Sequence, residues 1–232
     1  MQYSNGNSIQ REAPVVKNLI IFTALVWLAQ VVITQHNITS LGALHYYQST
    51  LFKPFQLVTA MFLHDTNSPM HLFFNMFTLY FFGSTLERFW GSKHFLLFYL
   101  TCGIGAALVE QLAIPFLATK FAESYANTEG YSLPMIAQLY REQYSSLGAS
   151  GAIMGLLAAF AYLFPNTPLA FLFIPIPIKA KYMVGLYVLI DLYGGFGGGR
   201  GDNIAHFAHL GGALIGFILV LIWNKTNRKT LY

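Results

Sequence analysis

Residues 94 to 118 read HFLLFYLTCGIGAALVEQLAIPFLA, with Glu110 as the one formally charged side chain. A stretch of about 18 or more apolar residues is what a helix needs to cross the roughly 30 Å of hydrocarbon in a bilayer, and it leaves few other places for such a segment to go. Five further runs of this kind lie near residues 17-35, 69-86, 146-164, 180-197 and 204-223. Across the chain 55% of residues are hydrophobic and 9% are charged, whereas about a quarter are charged in an ordinary soluble domain. The expectation is an all-α polytopic membrane protein with six transmembrane helices. A short tail over 1-16, a membrane domain over 17-223 and a tail over 224-232 complete the organisation.

Orientation follows from the basic residues, which concentrate on the cytoplasmic side of membrane proteins. With six crossings, Arg11, Lys17, Arg88, Lys93, Lys179, Lys181, Lys225, Arg228 and Lys229 share one side with both termini. Only Lys53, Lys120, Arg141 and Arg200 of the thirteen basic residues fall opposite. Both termini are therefore expected to be cytoplasmic. The polar start has no signal-peptide pattern. The net charge of +4 is scattered, without the basic stripe that nucleic acid demands. The lone Cys102 in an apolar run reads as packing rather than redox chemistry, and no internal repeat suggests a transporter architecture.

Three polar clusters then stand out, because intramembrane ionisable groups are costly and mark function by default. In NSPMHLFFN, Ser68 is the expected N-cap and Pro69 the first helical residue, which puts His71 and Asn75 one turn apart on one face. In SSLGASGAIMGLL, Ser145 and Ser146 are candidate caps ahead of Ser150. In NIAHFAHLGGALIG, His206 and His209 follow Asp202 and Asn203. In the six-span order these clusters begin their helices at the outer surface, so all lie within roughly 10 Å of the helix starts.

The small residues pick a pairing. Gly148, Gly151, Gly155, Ala158 and Ala159 form an arc beside Ser150, while Ala205, Gly212 and Gly216 lie within roughly 60° of His209 around the last helix. The two glycines lie roughly 80 to 120° from His206, so His209 is on the face that presses against a neighbour. Packing one arc on the other would bring Ser150 to His209, as a serine nucleophile requires of its general base. His71, Asn75 and the backbone N–H of Ser150 would then be donors for an oxyanion. Plainer readings stand beside this one: a serine bonded to the preceding turn, small-residue helix packing, a polar clamp between helices. Metal binding by His71, His206 and His209 lacks a carboxylate or cysteine ligand at a recognisable spacing, so no metal is expected.

GASGAIMG, HLFFN and HLGGALIG resemble the three catalytic elements of the rhomboid intramembrane serine proteases, and GSTLERFWGS also looks like that family. The resemblance covers residues 17 to about 223. It implies six helices, a Ser150–His209 dyad, oxyanion-stabilising His71 and Asn75, no cofactor and no metal. No carboxylate orients the base in that family, so Asp191 in the fifth span is not counted as a third member. The chain departs from the family in reading KPFQ, with Phe55-Gln56, where many members carry Trp-Arg. The connection 119-145 is long and holds SLPMIAQLYREQY, which suits an amphipathic helix on the membrane. The glycines from 194 to 201 suit a mobile loop at the site, as the fifth span and the loop after it gate substrates in that family.

The expected function is hydrolysis of peptide bonds in or near transmembrane segments, with transmembrane protein substrates and the lipid bilayer as partners and a bacterial inner membrane as location. A rhomboid-like protein that binds membrane clients without cutting them is the alternative, ahead of a transporter or channel. His36, His45, His64 and His94 carry no assigned role, and Glu110 reads as structural.

Overall fold

A computed structural model describes residues 12–33, 37–125, 132–171, 174–197 and 205–226. Helix α1 (Pro14–Val32) opens with proline in its first turn. Its free N–H groups at Val15 and Val16 donate at 3.0 and 2.8 Å to the two carboxylate oxygens of Glu87, which comes from GSTLERFWGS and is 1% exposed. A buried carboxylate on helix N-terminal donors satisfies both the orphan amides and the helix dipole. Helix α2 (Ile38–Gly42), capped by the Asn37 side chain, leads to the two-residue strand β1 (Leu44–His45). Helix α3 (Gln56–Thr59) passes into a 3-10 turn over Ala60–Phe62.

Gln56 organises this first loop. It is 1% exposed, accepts from the backbone N–H of His45 and Lys53, and donates to the carbonyls of Leu41 and Leu51. A neutral side chain with both donor and acceptor ends thus satisfies four backbone groups that the irregular loop leaves open. Beside it Phe55 is 48% exposed.

The second apolar run is a stack of three adjoining pieces: α4 (Pro69–Thr78), a π-helical turn at Leu79–Gly83, and α5 (Ser84–Trp90). Ser68 precedes it but makes no capping bond through its side chain. Helix α6 (Ser92–Ser124) has 33 residues and runs past the expected limit at 118. Helix α7 (Leu133–Gln143) is the anticipated amphipathic segment, and it packs Ile136, Ala137 and Tyr140 on Ala118 and Ala122 of that extension. The extension thus has a partner outside the main core. Strand β2 (Ser145–Ser146) pairs with β1, so these serines are not the caps expected of them. Helix α8 (Ser150–Leu163) begins only at Ser150. A hairpin of β3 (Pro168–Phe171) and β4 (Ile174–Lys179) then leads to α9 (Ala180–Gly197) and α10 (His206–Thr226). The described residues are mostly helical, and two minor antiparallel pairs among them modify the all-α expectation.

By length and composition, three described helices suffice to cross a membrane: Pro14–Val32, Ser92–Ser124 and His206–Lys225. Helix α8 has 14 residues and is about 21 Å long, some 9 Å short of the hydrocarbon thickness. It is also the most enclosed of the described helices, with every residue from 151 to 160 buried. Large apolar side chains point outward instead from other helices, among them Leu25, Leu112 and Leu189. A polar solvent penalises that arrangement and a lipid solvent rewards it.

Helices α8 and α10 cross on glycine. A Cβ built at Gly212 would lie 1.8 Å from the carbonyl oxygen of Gly151, and one at Gly216 would lie 2.5 Å from the Cα of Gly155. The two small-residue arcs therefore meet backbone to backbone, as their spacing implies. On its other side α8 meets α6, where a Cβ at Gly155 would strike Cys102 at 2.5 Å.

Candidate active site

The glycine crossing sets the distance between two short side chains. Ser150 is the first residue of α8 and His209 lies in the first turn of α10. Their Oγ and Nε2 atoms are 2.7 Å apart. The N-terminus of α8 also leaves amides from Ser150 onward without intrahelical acceptors, and the helix dipole makes that end attractive to negative charge.

The segment before Ser150 is held by backbone geometry. The Gly148 N–H donates to the carbonyl of Ala60, at 2.9 Å, and Gly148 adopts φ +129°, a conformation that L side chains rarely enter. A Cβ there would lie 3.1 Å from Cε1 and Nε2 of His71 and 3.8 Å from Ser150 Oγ. The His71 ring and the Ser150 hydroxyl therefore face one small volume. The Asp65 N–H approaches His71 Nδ1 at 3.4 Å, which makes Nδ1 the acceptor and leaves the proton on Nε2, toward that volume. Asn75, 8% exposed, donates through Nδ2 to the carbonyl of His71, at 2.8 Å. One of its two amide hydrogens is thus spent on its own helix.

Three residues without an assigned site role prove to be part of this region. His64 is fully buried and its ring lies 5.0 Å from that of His71, while its backbone exchanges two hydrogen bonds with the Gln30 side chain of α1. Glu110, 2% exposed, accepts from Tyr144 Oη and Ser146 Oγ, both at 2.7 Å. Read from the sequence as structural, it also lines a cavity of about 40 Å³ shared with Ser146, Gly148 and Ser150. That volume suits a water molecule or two among polar partners. The third is Asp191 of α9. Its Oδ1 is 3.0 Å from His209 Nδ1 and 2.7 Å from His206 Nδ1. Asp191, which the resemblance gave no reason to count as a third member, is thus in direct contact with His209. The signal was present in the sequence, since a carboxylate inside an apolar span is a functional hypothesis by default. Asp202, Asn203 and the glycines from 198 to 201 lie outside the described residues.

This arrangement can remove a proton from Ser150 through His209 and offers donors where negative charge would develop. The profile of the rhomboid domain matches residues 52–225, a span containing all four of Ser150, His209, His71 and Asn75. The chain belongs to the rhomboid family.

Among curated rhomboid relatives, the chloroplastic Rhomboid-like protein 11 of Arabidopsis thaliana is 31% identical over 176 residues, covering 74% of this chain and 53% of that protein. The mitochondrial Presenilin-associated rhomboid-like protein of Homo sapiens is 31% identical over 171 residues, covering 71% of this chain and 38% of its own length. The mitochondrial Rhomboid protein 1 of Saccharomyces cerevisiae is 29% identical over 159 residues, at 68% and 39% coverage. This rhomboid chain thus spans about half or less of these relatives. Membership makes it a membrane protein, and all three names are organellar, so they lend no weight to the bacterial inner membrane expected from the sequence.

Proposed function

We propose that this rhomboid chain is an intramembrane serine endopeptidase that cleaves transmembrane proteins in or near their membrane-spanning segments. The observation that carries the reading is the 2.7 Å contact between Ser150 Oγ and His209 Nε2 at the crossing of α8 and α10. Six crossings are part of the proposal: α1, the α4–α5 run, α6, α8, α9 and α10, with both termini on the cytoplasmic side. Because α8 is shorter than the membrane is thick, Ser150 at its head then lies below the outer surface, within reach of a peptide bond at membrane depth.

A substrate helix hides its carbonyls in hydrogen bonds, so the segment must unwind locally before attack. Ser150 Oγ then bonds to the carbonyl carbon as His209 Nε2 takes its proton. The oxyanion settles in the volume faced by His71 Nε2–H and the Ser150 N–H, with the second amide hydrogen of Asn75 as a further donor. His209 returns the proton to the leaving amine, and the acyl-enzyme is hydrolysed by water that His209 deprotonates. The small polar cavity beside Ser150 supplies a place for that water. No cofactor or metal takes part in these steps.

The test is cleavage of a single-span reporter by the purified chain in vesicles, with Ser150→Ala and His209→Ala beside the parent. Cleavage by the parent alone supports the mechanism, and cleavage surviving Ser150→Ala sinks it. A parent that binds reporters without cutting them under any condition favours the client-binding alternative.

A further inference from the structure

The carboxylate of Asp191 has no part in a serine–histidine dyad, yet it is the group that His209 touches on the side away from Ser150. We infer that Asp191 is a positioning residue for the base, so that this chain works with a Ser150–His209–Asp191 arrangement; the inference rests on the protease reading above. Three features of the structure make the site a built one. Asp191 Oδ1 lies 3.0 Å from His209 Nδ1, while His209 Nε2 lies 2.7 Å from Ser150 Oγ, so the two ring nitrogens bridge carboxylate and hydroxyl. The same oxygen takes a second contact at 2.7 Å from His206 Nδ1. Finally, a Cβ at Gly194 would lie 2.2 Å from His206 Nε2, so the ring of His206 lies directly against the α9 backbone one turn beyond Asp191, at a position only glycine accommodates. The side chains of Asp191 and His206 are 7% and 8% exposed.

The chemistry follows from the tautomer. A carboxylate accepts and does not donate, so His209 must present Nδ1–H to Asp191, which leaves the Nε2 lone pair facing the serine. A lone imidazole divides itself between two tautomers, and one of them places a hydrogen against Ser150 and is inert as a base. When Nε2 takes the serine proton, the imidazolium forms beside a carboxylate that stays ionised throughout; the proton goes to the leaving amine and not to Asp191. His206, on the same oxygen, fixes the carboxylate rotamer and ties α10 to α9.

The measurement is steady-state cleavage of a single-span reporter by full-length protein in phosphatidylcholine–phosphatidylglycerol vesicles, for the parent, Ser150→Ala, Asp191→Asn, Asp191→Glu and His206→Ala. Alongside it, 15N spectra of histidine-labelled parent and Asp191→Asn, with His209→Gln for assignment, read the protonated ring nitrogen without requiring turnover. Asp191→Asn is expected to lower kcat by about 100- to 10,000-fold with KM within about twofold, because it removes the charge that steadies the imidazolium and the acceptor that fixes its tautomer but no substrate contact. Asp191→Glu should recover part of the loss, and His206→Ala, which removes only the contact that fixes the carboxylate rotamer, should lose less kcat than Asp191→Asn does. The parent spectrum should show His209 protonated on Nδ1, with the Nε2–H form rising in Asp191→Asn. If Asp191→Asn keeps the parent kcat while Ser150→Ala is dead, the protease reading survives and the positioning role is overturned. Equal losses in Asp191→Asn and His206→Ala that fall on KM would also overturn it, in favour of a mere tie between α9 and α10. If the parent never cleaves, the protease reading fails, and His209 unprotonated at Nδ1 would overturn the inference independently.

Discussion

Replacing Gly212 with alanine tests whether the glycine crossing sets the catalytic distance. The new Cβ would stand 1.8 Å from the Gly151 carbonyl oxygen, a backbone atom that cannot rotate away. Carbon and oxygen come to rest at about 3.3 Å, so the helices must separate by roughly 1.5 Å at this level. Gly151 is next to Ser150 and Gly212 lies one turn from His209, so most of that displacement appears in the 2.7 Å hydrogen bond. It would open to about 4 Å, beyond any hydrogen bond. Losing a general base costs about 100- to 10,000-fold in rate, whereas overpacking costs about 1–3 kcal/mol of stability. Reporter cleavage should therefore collapse at temperatures where thermal melting still finds Gly212→Ala folded. Gly185→Ala is the control: nothing lies within 4 Å of a Cβ there, and its activity should match the parent. A folded Gly212→Ala that cuts at half the parent rate or better would refute the link between helix approach and the Ser150–His209 contact.

Other positions separate stability from chemistry. Glu87→Gln offers one oxygen to two N–H donors and turns an amide N–H toward the other, so the melting transition should fall by an amount equivalent to about 2 kcal/mol while cleavage of the folded fraction stays near normal. Gln56→Ala strands four backbone groups of the first loop and should cost about 3 kcal/mol or more in denaturant titrations. Gly148→Ala forces φ +129° on a residue with a Cβ and presses on the His71 ring; misplacement near 1 Å should cut the rate by about 100-fold with a smaller loss of stability, read by the same two assays.

Helix periodicity made the central crossing legible, because glycine at 151 and 155 and at 212 and 216 can be read on a helical wheel without coordinates. The face carrying His209 rather than His206 followed from the same wheel. Where α8 starts did not follow: Ser145 and Ser146 are good capping residues just ahead of an apolar run, and only a strand pairing with Leu44 and His45, a hundred residues away, takes them out of that role. The hairpin 168–179 was hidden similarly, since Pro175 and Pro177 read as breakers, although prolines two apart share one edge of a strand and leave its pairing edge free. The Gln56 hub was invisible because its partners are irregular backbone groups with no sequence pattern. Asp191 is different in kind. The cost of a carboxylate in an apolar span pointed to it, and the resemblance to a family that works without one set it aside. Its contact with His209 crosses from α9 to α10, a juxtaposition that only the packing reveals.

The clamp of Glu87 on α1 bears on how the chain is made. The amides of Val15 and Val16 are separated by 72 and 71 residues from the carboxylate that satisfies them. At about 5–20 residues per second of synthesis, the first helix waits roughly 4 to 14 s for its cap. Until then those N-terminal donors need other acceptors, such as water. Delivery of Glu87 at the end of the α4–α5 run then locks the two segments antiparallel, so that one carboxylate acts as the latch on the first completed hairpin before α8 or α10 has been translated.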